Sequence, residues 1–233
     1  MIVLIEGGSC SGKSEYAERR ALAMGNRNAY YAATMEAMDR ESRRRVSRHR
    51  ARREEANRGG ANWVTIEQPR HIEELTGQIN DYDSVVLLEC MSNLVANEMY
   101  SEHDDEDSGS ARDWMDCANA IVEGVLEVAE IVENLIVVTN NVFEDGVATV
   151  PELREYLKVL GNVNEALAAR ADEVIEVVVG IPIFHKGGAT GDGKTGGESG
   201  CGAGDIEVDS DSGRDSGFHS AISEAEQKEP YLC

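Results

Sequence analysis

Residues 7–14 read GGSCSGKS, which satisfies G-x-x-x-x-G-K-[ST] at Gly7, Gly12, Lys13 and Ser14, directly after the apolar run IVLIE. That spacing does phosphate chemistry. The small residues Gly7, Gly8, Ser9, Cys10, Ser11 and Gly12 let backbone N–H groups turn inward around phosphate oxygens, and the N-terminus of a following helix adds positive potential. Lys13 is expected to bridge the terminal phosphates of a nucleotide, and the Ser14 hydroxyl to ligate Mg2+. A second apolar run, VVLLE, ends in Glu89, where P-loop enzymes place a carboxylate near the magnesium. Solubility alone often puts an acid at a strand end, so Glu89 gains its meaning from the glycine loop.

The segment RESRRRVSRHRARR, residues 40–53, is a basic helix inside a chain of net charge −22. An anion should bind there, or acids of the protein should pair with it. The aromatic residues that single-strand binders interleave as stacking platforms are missing, which favours nucleotide phosphates or a phosphorylated small molecule over nucleic acid. His49 stands in the middle of this run, where arginines draw phosphate towards a ring that can act as a nucleophile; the bland alternative is a surface histidine. His71, His103, His185 and His219 have no comparable setting.

These residues need a scaffold. From residue 1 to about 186, short β-branched runs alternate with longer helical stretches, the pattern of a parallel sheet. Strands are expected at 2–6, 29–33, 63–66, 85–89, 135–139 and 174–179, and helices at 13–24, 39–56, 72–79, 111–132 and 151–170. The fold class is therefore α/β, a P-loop NTPase-like, mostly parallel sheet flanked by helices. Residues 101–110, SEHDDEDSGS, read as a solvated insert before a helix. Residues 187–233 are acidic, Gly/Ser-rich and nearly devoid of bulky apolar side chains, which predicts a disordered tail after one folded domain, 1–186.

The overall negative charge would repel nucleic acid and anionic membranes, and no run approaches the length of a membrane span. The five cysteines (Cys10, Cys90, Cys117, Cys201, Cys233) form no CxxC pair and no even-numbered framework, so free thiols and a cytoplasmic location are expected.

In order and spacing, the motifs resemble one family. GGSCSGKS is followed by SEYAERRAL and YYAAT, then RVSRHRARR, WVTIEQP, VVLLECMSNLVANEM and VPELREYLKVLGNVNEALAARADEVIEVVVGIPI. Together they look like the bifunctional adenosylcobinamide kinase and adenosylcobinamide-phosphate guanylyltransferase of cobalamin biosynthesis, over about residues 1–183. The resemblance implies that His49 becomes covalently guanylylated, and that Ala33, Thr34, Met35, Arg50, Ala51, Arg52, Arg53, Glu67 and Glu89 join the P-loop in contacting nucleotide. It further implies GTP and ATP as substrates with Mg2+, a corrinoid as acceptor, and a homo-oligomer.

Three departures from the family pattern stand out. The family often reads SNEVG where this chain has TNNVFEDG, so Asn141 replaces an acid whose role could pass to Glu144. Cys10 replaces the usual loop arginine, and the insert and tail lie outside the pattern. A guanylyltransferase-only relative, a P-loop kinase of another hydroxyl-bearing metabolite, and a nucleotide-gated nucleic-acid-binding protein remain the alternatives.

Overall fold

The structure, a computed structural model, describes residues 1–36, 39–100, 114–142 and 150–188. All of these fall in one compact unit, Met1–Gly188. The acidic stretch 101–110, Glu144, and the tail from residue 189 onward lie outside the described residues.

Seven strands form one sheet: β1 (Ile2–Glu6), β2 (Asn28–Ala33), β3 (Trp63–Glu67), β4 (Ser84–Glu89), β5 (Asn134–Val138), β6 (Glu173–Val178) and β7 (Ile181–Lys186). Their spatial order is β3-β2-β4-β5-β1-β6-β7, and every pair is parallel except β6 with β7. The helices are α1 (Lys13–Ala23), α2 (Arg40–Arg58), α3 (Met91–Tyr100), α4 (Trp114–Ile131) and α5 (Pro151–Arg170). The mostly parallel, helix-flanked sheet expected from the sequence is thus the observed architecture.

The centre of the sheet is buried on both faces, which is why β4 and β5 read as unbroken apolar runs, while the edge strands β3 and β7 are largely exposed. Every residue of β4 and β5 is buried. Alternation then sorts side chains between two cores. Leu4, Val86, Leu88, Leu135 and Val137 join a cluster with α3, α4 and α5, whereas Val3, Ile5, Val85, Leu87, Ile136 and Val138 face Ala17 and Ala21 of α1. Leu160 of α5 is fully buried in the first cluster. Leu160→Ala is expected to destabilise the fold by about 2–5 kcal/mol, read as a lowered urea midpoint at unchanged slope.

Three elements differ from expectation. Residues 72–79 form a 3-10 turn, Ile72–Gly77, rather than an α-helix. Helix α3 was hidden because it follows β4 almost without a break, so its buried Met91, Leu94, Val95 and Met99 merge with the strand's apolar run. Strand β7 was hidden by its turn. Val179 and Gly180 both have positive φ, 50° and 80°, between the paired Val178 and Ile181, the geometry of a two-residue type I′ hairpin. Asn-Gly normally announces that turn; a β-branched valine conceals it.

Candidate active site

The glycine loop joins the carboxyl end of β1 to the start of α1, the edge at which open α/β sheets bind ligands. Its shape is enforced locally. Gly12 caps α1 with φ 88°, and Tyr16 N–H donates to its carbonyl at 3.0 Å. A Cβ at Gly7 would sit 2.6 Å from the Val177 carbonyl oxygen and 2.6 Å from Ser11 Oγ, so only glycine fits against β6. Gly180 N–H donates to the Ser11 carbonyl at 2.7 Å, tying the loop to the β6–β7 turn. Asn141, the departure from the family pattern, lies against the same loop, its N–H donating to the Gly7 carbonyl at 3.1 Å.

Lys13 is only 3% exposed, and its ammonium donates to the Gly8 carbonyl at 3.0 Å. Burial pulls its pKa below the usual lysine value, with the charge of Glu89 among the opposing influences. One residue on, the Ser14 hydroxyl donates to Glu89 Oε1. Glu89 also accepts from the Tyr31 hydroxyl at 3.1 Å. Burial, then the neighbouring Glu89 charge, push the Tyr31 phenol well above its usual pKa, so it stays a donor. The carboxylate at the end of β4 therefore meets the loop, as the spacing alone could only suggest.

Helix α2 begins at a capping box in which Asp39 Oδ1 accepts from Ser42 N–H at 2.7 Å and Ser42 Oγ accepts from Asp39 N–H at 3.1 Å. Most of its arginines are solvated. One stripe is not: Arg45, Val46, His49, Arg53 and Ala56, at helical three- and four-residue spacing, are buried or half-buried. Arg53 anchors this stripe, its guanidinium carbon 3.5 Å above the centroid of Tyr31 and its Nε donating to Thr65 Oγ1 at 3.2 Å. Arg50 pairs with Glu67 on β3. The arginine that the helix buries thus holds it on the sheet through an aromatic ring, where a leucine would be ordinary.

Of the residues expected to contact nucleotide, Ala33, Met35, Arg50, Arg53, Glu67 and Glu89 line one pocket together with His49. Thr34 does not face it. Fully buried, its hydroxyl donates to the Cys90 carbonyl at 2.8 Å and accepts from Cys90 N–H at 2.7 Å, so it braces the end of β4. Ala51 is exposed, two residues and hence about 200° around the helix from His49. Arg52 is outside the pocket lining, and its Nε is buried without a hydrogen-bond partner among the described residues. Cys90 and Cys117 are free thiols, as expected for both. Cys10, at the exposed crest of the loop, has a left-handed φ of 59°.

Sequence reasoning missed Tyr31, Arg45, Thr65 and Asn93, which also line the pocket. It missed Glu18 as well. Glu18 lies one helical turn beyond Ser14 on α1, is 9% exposed, and offers a carboxylate oxygen that lies with ligand atoms of His49 and Glu89 inside a 4.8 Å span. Its spacing from Ser14 was the available signal, since positions four apart on a helix share a face.

The description "Cobinamide kinase / cobinamide phosphate guanyltransferase" belongs to the family model that matches residues 3–184. This chain is 33% identical over 191 residues to the bifunctional adenosylcobalamin biosynthesis protein CobU of Escherichia coli (strain K12), covering 80% of this chain and 100% of that protein. It is likewise 33% identical over 192 residues to the protein of the same name from Salmonella typhimurium, with the same coverage. Among solved structures, the flagellar accessory protein FlaH from Methanocaldococcus jannaschii is similar at a TM-score of 0.42 and 13% identity, over 80% of this chain and 78% of that one.

Proposed function

Because the chain belongs to the cobinamide kinase / cobinamide phosphate guanyltransferase family, we propose that both family reactions run in the cleft between the glycine loop, Glu89 and helix α2. The observation that carries this reading is the convergence of His49 and Glu89 on one pocket, with Glu89 hydrogen-bonded to the loop's Ser14. In the kinase reaction, the γ-phosphoryl group of ATP or GTP passes to the hydroxyl of the aminopropanol arm of adenosylcobinamide. The loop's N–H groups and Lys13 hold the phosphates and offset the charge on the transferring group. In the second reaction, His49 attacks the α-phosphorus of GTP, pyrophosphate leaves, and the phosphate of adenosylcobinamide phosphate takes the GMP from the ring. One difficult displacement becomes two easier ones.

Ser14 and Glu89 suit Mg2+. Their side-chain oxygens are in contact, are hard donors, and adjoin the phosphate loop, so they would hold the ion on its protein side. Bound there, it would neutralise phosphate charge. Arg45, Arg50 and Arg53 supply guanidinium forks suited to the remaining phosphate oxygens.

The folded domain, 1–186, carries both activities in this reading. A cytoplasmic homo-oligomer fits nucleoside triphosphate and corrinoid substrates, and among the described residues no helix is long and apolar enough to cross a membrane. The test is incubation with Mg2+ and GTP labelled at the α-phosphate, denaturation and mass analysis, alongside γ-phosphoryl transfer to cobinamide. An acid-labile GMP adduct together with phosphorylated cobinamide is the expected result. Phosphoryl transfer to some other alcohol without an adduct would replace this reading with a P-loop kinase of another metabolite.

A further inference from the structure

Two buried polar atoms face each other beside the phosphate loop without a hydrogen-bond partner among the described residues: Glu18 Oε1 on α1 and His49 Nδ1 on α2. They are 3.7 Å apart, and each side chain is 12% exposed. A buried carboxylate and a buried ring nitrogen left unsatisfied are costly, and each is the natural partner of the other. A shift of α2 by under roughly 1 Å would bring them to hydrogen-bond distance.

We infer that Glu18 is a positioning residue for His49: its carboxylate accepts the hydrogen of Nδ1, which fixes the ring's tautomer and leaves the Nε2 lone pair free to attack phosphorus. The inference rests on the guanylyltransferase reading above and deepens it.

The carboxylate has a second part during the reaction itself. When Nε2 attacks, the Nε2–phosphorus bond forms, the bond from the α-phosphorus to the bridging oxygen breaks, and its electron pair leaves with pyrophosphate. The proton on Nδ1 stays, so the ring turns from neutral to cationic. A carboxylate held against Nδ1 stabilises that cation as it develops, in the way an acid behind a catalytic histidine does in hydrolases. On the return step, a phosphate oxygen of the corrinoid attacks the same phosphorus and the pair goes back to Nε2. Glu18 gains and loses no proton in either direction.

The placement fits this task. Ser14 and Glu18 lie on one face of α1, a turn apart, so the helix that opens at the phosphates also carries the group behind the nucleophile. Arg45 and Arg53 line the pocket beside His49, so the anionic α-phosphate and the ring meet without Glu18 having to face the phosphate itself.

The test compares wild type with Glu18→Gln in single-turnover guanylylation at saturating GTP, with the ring tautomer read by 15N NMR of histidine-labelled protein and the His49 signals assigned from His49→Ala. Glu18→Gln is expected to lower the maximal rate about 10–100-fold. The GTP concentration for half-maximal rate should stay within about twofold, a split that a merely structural role would not produce. Neutral wild-type His49 should carry its proton on Nδ1, and that preference should weaken in the variant. An undiminished rate in Glu18→Gln, or a wild-type ring protonated on Nε2, overturns the inference. Should the variant fail to fold, the wild-type tautomer still decides it. Absence of a GMP adduct from wild type would overturn the guanylyltransferase reading and this inference with it, whereas a wild-type adduct with an unaffected Glu18→Gln rate overturns this inference alone.

Discussion

His49→Ala is expected to eliminate the acid-labile GMP adduct and to lower guanylyl transfer to adenosylcobinamide phosphate by roughly 10⁴-fold or more, the scale on which removal of a covalent nucleophile acts. The size of the effect follows from what no neighbour can replace. Within the pocket His49 is the one nitrogen nucleophile that is not a guanidinium; Arg45, Arg50 and Arg53 are permanently protonated and have no free lone pair. Glu89 is committed to Ser14 and Tyr31. Alanine is the best helix former, so α2 should persist, anchored by Arg53 on Tyr31. Phosphoryl transfer to cobinamide, which needs no covalent intermediate, should survive. Mass analysis of protein incubated with GTP and Mg2+, paired with a cobinamide phosphorylation assay, checks both parts. Loss of both activities together would assign His49 a structural role instead.

Lys13→Met is expected to cut both activities about 10²–10³-fold, the cost of removing one preorganised charge-stabilising donor. Methionine keeps most of the side chain's length and removes only the ammonium. The same substitution should leave stability unchanged or raise it. Burial lowers the Lys13 pKa below the ordinary lysine value of 10.5, so the charged form opposes folding. The sign is definite: between the lowered folded-state value and 10.5 the unfolded chain binds more protons, and the stability contribution of Lys13 rises with pH across that window. Nucleotide binding runs the other way, weakening as the ammonium is lost, at lower pH than an exposed lysine would give. Thermal melts from neutral to alkaline pH, with nucleotide titrations at each point, separate the two trends. A destabilised Lys13→Met with normal turnover would make Lys13 a structural cation.

The fold sets the surroundings of both side chains. Lys13 is buried because α1 starts immediately under the sheet's edge, and His49 is half-buried because one stripe of an otherwise solvated helix faces β2 and β3. Free in solution, the basic helix α2 would have exposed His49.

Much of this was written locally. A glycine loop after an apolar strand is a short-range pattern, since its function depends on backbone dihedrals within a few residues, and it appears intact between β1 and α1. The buried strands were legible because burial on both faces demands continuous apolar runs, as in SVVLLE and NLIVV. Helix α5 was legible to the residue, Pro151–Arg170, because proline at its first turn is a local signal. What stayed hidden had no such signal: β7 behind a Val-Gly turn, and α3 fused to the run of β4.

The fold class, and the residue types proposed for phosphate binding and for a nucleophile, were therefore set by the chain's local chemistry. The assembly of Glu18, His49 and Glu89 around one pocket was decided by tertiary structure, because they sit on α1, α2 and β4, and only the β3-β2-β4-β5-β1 strand order brings those elements to one edge. The same is true of what Thr34 and Arg53 do. Thr34 matched a nucleotide-contact motif yet its hydroxyl braces Cys90, and Arg53 belonged to a basic run yet lies over Tyr31. Side-chain partners of this kind depend on contacts between distant segments, and those are fixed by how the layers pack rather than by spacing along the chain.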